Sequence, residues 1–346
     1  MKEPKILHIF KRIHHHSGHS GYDQLAKYLP SVHYQGGKVF HYLYRRNPEK
    51  FKFIRHIDPE WYTYEYFCLE TELLLRMNLV SDTIFHILYG ENQYRFLGRA
   101  PLRRSNRVVP SFHQPPDVFP RAVQNPKLVR RADAVVVVGS SQTDYFRDLT
   151  RRDNVYVVPH GISTHFFTPP EQRNWDGPLR CISVGWWLRD VEMIKRIIQT
   201  FNEFRKPKVE FHIVTFAWCH EFYRGLENVH LYADLTDDQL RELYRNSHAL
   251  LLPMNDCTAN NAVLEAMACG LPVLSTDVGS IRDYVTGENA ILAPPDSAEP
   301  LIDALLEAER DRRRFQAMGA ASIRQAALFD WHRVAEQMLA VYRRIM

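Results

Sequence analysis

Apolar and polar positions along the chain fall into two successive series in which a short apolar run is followed by a polar loop and then by apolar positions at helical spacing. The first series opens with ILHIF, of strand length, then the small and polar loop KRIHHHSGHSG, then the helical pattern YDQLAKYL. Further strands are expected at TIFHILYG (83–90), RVVPSFH (107–113) and ADAVVVVGSS (132–141), where four consecutive valines suit a strand covered on both faces. The aromatic stretch 51–67 has no clean period, and its structure stays undecided. In 154–170, NVYVVPHGISTHFFTPP, a strand is followed by Pro159, Gly161 and a proline pair that stops regular structure, the pattern of a linker.

The second series starts at LRCISVGW (179–186). It continues through a helix over 190–204, the strand VEFHIVTF, the helix TDDQLRELYRNS, the strand ALLLPM, the helix NAVLEAMACG and the strand PVLST, with helices at about 299–326 and 331–345. Strands alternating with helices of this length specify a parallel, doubly wound sheet. The chain is expected to be α/β, with two doubly wound Rossmann-like domains facing across a cleft, and a ligand beyond the carboxyl ends of the strands. A length of 346 residues agrees, being more than one core comfortably fills.

Composition changes this picture little: 45% apolar and 24% charged residues describe a globular chain. No apolar run reaches the length of a membrane span and the N-terminus lacks the apolar centre of a signal peptide, so the cytoplasm is the expected compartment. The five cysteines are scattered without C-x-x-C spacing and read as reduced thiols. Charge adds more. Residues 1–165 hold 24 Lys and Arg against 15 Asp and Glu. Basic clusters around Arg45–Arg46, Arg99–Arg107 and Arg130–Arg131 read either as solvated faces or as contacts with an anionic acceptor or the inner membrane face. No nucleic-acid motif accompanies them. His14, His15, His16 and His19 lack a carboxylate at metal-ligand spacing, so no metal site is read from the sequence.

Four segments, in order, carry a resemblance. NVYVVPHGISTHFFTP, LTDDQLRELYRNSHALLLPM, NNAVLEAMACGLPVLSTDVGSIRDYV and DWHRVAEQMLAVYRRI resemble the interdomain segment, the elements before the donor site, the donor-binding signature and the closing helix of the family-four retaining glycosyltransferases, which have the GT-B fold. The likeness covers about residues 4–25 and 107–346. It implies an N-terminal acceptor-side domain over 1–165, a nucleotide-sugar-binding domain over 166–328, and a helix over 329–346 returning to the first domain. It implies sugar transfer from a UDP-sugar or GDP-sugar donor to a glycan, lipid-linked or other glycoconjugate acceptor, with no resident cofactor or metal.

The residues of the signature can also be read by their own chemistry. Asn260 and Asn261 stand before a helix expected to start near Ala262, whose first-turn N–H groups suit a diphosphate. Glu265, one turn in, can accept from two ribose hydroxyls, as the resemblance implies for that position. Two departures matter. Where the family has a glutamate contacting the transferred sugar stands Cys257, leaving three possibilities: Asp256 or the Thr258–Asn261 loop takes over, the pocket is altered, or activity is lost. In the loop VGWWLRDVEMIK, Trp186 follows Gly185 where the family has an arginine, so Arg189, and less well Lys195, are candidates to meet the phosphates. Asp190 is expected to cap the following helix. The resemblance also assigns His113 to the sugar, and Gly18 and Gly21 to a loop over the donor phosphates; Glu91 and His86 read either as lining the acceptor side or, more simply, as an ordinary strand end. Two other readings stand beside transfer: a nucleotide-sugar epimerase, or a non-catalytic nucleotide-sugar-binding subunit, which the two departures favour.

Overall fold

The computed structural model describes residues 5–11, 18–36, 38–47, 49–50, 52, 61–95, 97, 105–123, 125–203 and 209–346. The chain divides into two compact units. One comprises Met1–His16, Tyr22–Pro159 and His332–Met346; the other comprises Ser17–Gly21 and His160–Trp331. The division therefore falls at 159/160 where 165/166 was expected, and a short piece of the first loop belongs with the second unit.

The first unit is built on strands β1 (Lys5–Ile9), β2 (Val32–Tyr34), β3 (Thr83–Ile87), β4 (Arg107–Phe112), β5 (Val135–Val137) and β6 (Val155–Val157). They form one parallel sheet in the order β2-β1-β3-β4-β5-β6. Helices α1 (Lys38–Arg46), α2 (Tyr64–Leu79), α3 (Gly90–Gln93), α4 (Phe119–Ala122) and α5 (Thr143–Thr150) connect them. The valines of β5 are fully buried, as their run requires, beside Phe112, Phe119 and Phe146. The pattern YDQLAKYL forms a 3-10 helix over Tyr22–Tyr28 where an α-helix was implied. Part of the undecided stretch lies outside the described residues, and its end enters α2.

The second unit has strands β7 (Leu179–Val184), β8 (Val209–Val214), β9 (Val229–Tyr232), β10 (Ala249–Leu252), β11 (Val273–Thr276) and β12 (Ala290–Ala293), all parallel, in the order β12-β11-β10-β7-β8-β9. Its helices are α6 (Val191–Asn202), α7 (Asp237–Asn246), α8 (Asn261–Ala268), α9 (Ile281–Tyr284), α10 (Glu299–Arg310) and α11 (Arg313–Ala326). The centre of the sheet is the most apolar part: β10 and β11 are buried throughout, whereas β9 at the edge is half-exposed. The strand order reverses at β7, which is flanked by β8 on one side and β10 on the other. A crevice opens at such a reversal because the loops leaving the two central strands diverge to opposite faces.

The last helix, α12 (Trp331–Ile345), packs in the first unit from His332 onward. Its Tyr342 hydroxyl lies 2.8 Å from His8 Nε2 and 2.5 Å from His86 Nδ1; His8 Nδ1 reaches Ser31 Oγ at 2.6 Å, and His86 Nε2 reaches Ser111 Oγ at 2.7 Å. Burial drives both histidines to the neutral form, His8 down to about 3 and His86 well below its ordinary value, so the chain is one of neutral hydrogen bonds. His86, a candidate for the acceptor side, is in this buried chain. Both doubly wound sheets expected from the alternation are present. Among the described residues no helix is long and apolar enough to cross a membrane.

Candidate donor site

The reversal point of the second sheet brings together the loop after β7 and the loop after β10. Asp190 N donates to Pro253 O at 3.0 Å and Asn255 N to Leu188 O at 2.9 Å, so the loops are laced by their backbones. Gly185 turns the first loop with φ of +90°, and a Cβ there would stand 2.9 Å from Arg189 Nη2. Glycine thus supplies both the left-handed turn and the room for the guanidinium.

Arg189 folds back under this loop. Its Nε donates to Val184 O at 3.0 Å and its Nη1 to Trp187 O at 2.9 Å, and its Nη2 lies 3.5 Å from Asn260 Oδ1. Among the described residues no carboxylate is within ion-pair distance of it. Burial lowers its pKa to about 10, which leaves it charged at neutral pH. Asn260 is the N-cap of α8 and accepts from Val263 N, so the guanidinium stands beside the positive end of that helix. Asn261 is the first helical residue, one position earlier than expected.

Glu265, one turn into α8, is 4% exposed. Its Oε1 accepts from Ser20 Oγ, and its Oε2 accepts from Tyr244 Oη at 3.0 Å. Burial raises its pKa to about 7, and the two hydroxyls only partly oppose that. A carboxylate that takes one hydroxyl on each oxygen has the bonding pattern a vicinal diol would satisfy. Ser20 reaches it because residues 17–21 lie on the second unit: Gly18 N donates to Asp237 Oδ2 at 2.5 Å, His19 Nδ1 is 2.8 Å from the same oxygen, and the His19 ring stacks on Phe166 at 3.5 Å. Gly21 ends this segment with φ of +105°. The sequence did not single out Ser20, Tyr244 or Asp237. The last was legible only as part of a helix start, since Thr236 caps α7 three residues before Gln239.

The remaining candidates are placed as follows. Asp256 Oδ1 accepts from Cys257 N at 2.7 Å, and Gly279 comes so close that a Cβ there would meet both that oxygen and Cys257 O. Cys257 is buried, and burial pushes its thiol up to about 12 against the pull of Arg189, which keeps it neutral. Thr258 is buried on the same loop. Lys195 sits in the second turn of α6, paired with Glu192 at 3.3 Å, and is not brought to the loop. Asp190 caps α6 by accepting from Met193 N at 2.9 Å, as expected. His14, His15 and His16 lie outside the described residues.

In the first unit His113 follows β4. Its backbone N–H donates to Glu91 Oε1, Gln114 N donates to the same oxygen at 2.8 Å, and its Nδ1 is 3.5 Å from Glu91 Oε2. Burial alone would raise the Glu91 pKa, but the hydrogen bonds and charge of His113 outweigh it and hold the carboxylate ionised. Glu91 therefore orients His113, whose ring also packs edge-on to Tyr22 at 4.8 Å.

Comparison with known proteins supports the resemblance. The chain is 26% identical over 258 residues to D-inositol 3-phosphate glycosyltransferase of Corynebacterium diphtheriae, covering 64% of this chain and 58% of that protein. It is 26% identical over 232 residues to MMP alpha-(1->4)-mannosyltransferase of Mycolicibacterium hassiacum, covering 63% and 56%. The chain thus spans under three fifths of the curated relatives it matches. Among solved structures, Anabaena Alr3699/HepE in complex with UDP and glucose aligns over 99% of this chain and 100% of that one, with a TM-score of 0.66 at 13% identity, which establishes a shared fold. Residues 179–311 match the family described as Glycosyl transferases group 1. The matched stretch runs from β7 to just past the end of α10 and includes the reversal point, Arg189 and Glu265.

Proposed function

We propose that the protein transfers a sugar from a nucleoside diphosphate sugar to a glycan, lipid-linked or other glycoconjugate acceptor, with retention of anomeric configuration. The observation that carries the reading is Arg189: a part-buried guanidinium held by two backbone carbonyls beside the N-cap of α8, with no acid of its own among the described residues. A desolvated cation is costly unless it meets an anion, and a diphosphate is the anion suited to a helix start.

In this reading the diphosphate lies across the first turn of α8 and Arg189, and Glu265 takes the two ribose hydroxyls in place of Ser20. The bond between the sugar's anomeric carbon and the β-phosphate oxygen breaks, and the acceptor oxygen bonds to the same carbon from the same face. The acceptor's proton passes to the departing phosphate, so no protein nucleophile is used. Arg189 and the α8 N–H groups stabilise the charge that grows on the leaving group; the reading assigns no part of that work to a metal ion. The relatives' names as glycosyltransferases, and the fold shared with a protein that holds UDP and glucose, support a nucleotide-sugar donor. An anionic or lipid-linked acceptor is supported by Arg45 and Arg46 at the end of α1, where Tyr42 and Leu43 are exposed.

Thermal melting against UDP-, GDP-, ADP- and dTDP-sugars tests the donor, since a ligand at about 100 times its Kd adds ~2.7 kcal/mol. NMR of the product from the stabilising donor then reads the anomeric configuration. Stabilisation by no nucleotide sugar would sink the reading. Binding without hydrolysis or transfer would replace it with a non-catalytic subunit, and isomerisation of the donor alone with an epimerase.

A further inference from the structure

A second cluster of ligand-bearing side chains lies away from Arg189 and Glu265, at the β8–β9 edge of the second sheet. The two strands pair in parallel with His212 opposite His230, so both imidazoles leave the sheet on one face. Glu210, two residues before His212 on β8, points to that face as well. The two rings stack at 4.8 Å with planes 17° apart. One ligand atom from each of the three residues lies within 4.8 Å of the other two.

The histidine between the other two groups is prepared on one side and open on the other. His212 Nδ1 is 2.9 Å from the Tyr232 hydroxyl, while its Nε2 is buried without a hydrogen-bond partner. With Nδ1–H donated to Tyr232, Nε2 keeps a free lone pair, the arrangement by which an outer hydrogen bond fixes the tautomer of a metal-bound imidazole. A buried ring nitrogen without a hydrogen bond carries an unrelieved desolvation cost, which a cation would offset. Burial, and then the neighbouring His230 and Arg180, lower the His212 pKa to about 4, so the ring is neutral at physiological pH.

We propose that Glu210, His212 and His230 bind a divalent transition-metal ion, with Zn2+ the best match to two imidazoles and one carboxylate. Metal–ligand bonds of about 2.0–2.2 Å require the ligand atoms to close inward. His230 on the edge strand is exposed and Glu210 is half-exposed, so both have room to do so. An open groove of about 560 Å³ lies on the Tyr232 side of the cluster, lined by Tyr232, whose hydroxyl meets His212, together with Asp238 and Glu242. Arg180 pairs with Glu210 across β7 and β8, but its guanidinium is engaged by the carbonyls of Asn174 and Asn246 and by His248. Its positive charge weakens the site rather than blocking it. The bound ion ties the edge strand to β8, whose Val214 O accepts from Gly185 N at 2.9 Å, so it also steadies the end of the sheet that carries the donor loop.

The test is titration of the chelator-treated full chain with ZnCl2, and with CoCl2 for its visible bands. It is run on the native protein and on an H14A/H15A/H16A variant, because the N-terminal histidines are a rival ligand set. One equivalent bound in both, with a raised melting temperature, is the expected result. His230→Ala and Glu210→Gln, each with an unchanged circular dichroism spectrum, are expected to weaken binding at least about tenfold. Uptake that disappears with the N-terminal histidines, or that persists undiminished in His230→Ala, overturns the proposal.

Discussion

The two units solve the same problem, polar groups buried near the ends of parallel strands, in opposite ways. In the first, Ser31, His8, Tyr342, His86 and Ser111 satisfy one another in a closed chain of neutral groups. In the second, Arg189 keeps a full charge beside a helix start and, among the described residues, is met by carbonyls and an amide. A closed chain specifies packing. An unanswered charge marks the position where an outside anion can bind. The contrast sets a closed polar chain against a candidate site without reference to motif, and it can be attacked at each end.

The largest effect is expected from Arg189→Ala. Removing this guanidinium at the reversal point should cut turnover by about 100-fold or more, as for the loss of a donor to a developing oxyanion, with circular dichroism unchanged. A variant with native turnover would erase the contrast.

Next comes the pH response of Glu265, whose folded pKa of about 7 stands above its ordinary value of 4.5. Between those values the folded carboxyl holds a proton that the unfolded chain has released. Its contribution to stability is therefore complete below 4.5 and is lost as pH rises through about 7. Donor binding should run the other way, because the ionised carboxylate is the better acceptor for hydroxyls. Affinity should improve by up to about tenfold per pH unit on approach to 7, then level off. Glu265→Gln should flatten both curves in calorimetry and in melting experiments; curves that remain steep in that variant would assign the titration elsewhere.

Tyr342→Phe probes the closed chain. It leaves two buried imidazoles short of a partner and should cost about 1–3 kcal/mol of stability in urea unfolding, with nucleotide affinity unchanged. A loss of affinity would show that the first unit's polar chain is not merely scaffold. The smallest effect is expected from Ser20→Ala. Freeing one oxygen of Glu265 should tighten nucleotide binding by roughly two- to fivefold, on the order of the net worth of one hydrogen bond. Weaker binding would instead make Ser20 part of the bound-state site.

Much of this was legible in the sequence, for identifiable reasons. The valines of β5 and the apolar β10 announce buried parallel strands because an uninterrupted apolar run of strand length suits an element covered on both faces. Asn260 and Glu265 could be read because a helix start and a residue one turn in are local matters of spacing. Arg189 became a candidate through the resemblance, as the nearest cation in a loop whose family arginine position holds Trp186. What escaped was set by distance along the chain. Ser20 meets Glu265 across 245 residues, and Gly18 meets Asp237 across 219, contacts that no window of sequence contains. Strands β2 and β9 escaped for another reason: they are short edge strands, half covered, so VHY and VHLY lack the apolar run that marks their neighbours.

All five thiols of the chain are unpaired and buried, four of them in the second unit and Cys68 in the first. Alkylating reagents attack the exposed thiolate. Each cysteine is therefore a built-in clock for the opening of its surroundings. Cys257, pinned under Gly279 and close to Arg189, times the donor loop itself, and its labelling rate should slow whenever a nucleotide holds that loop shut.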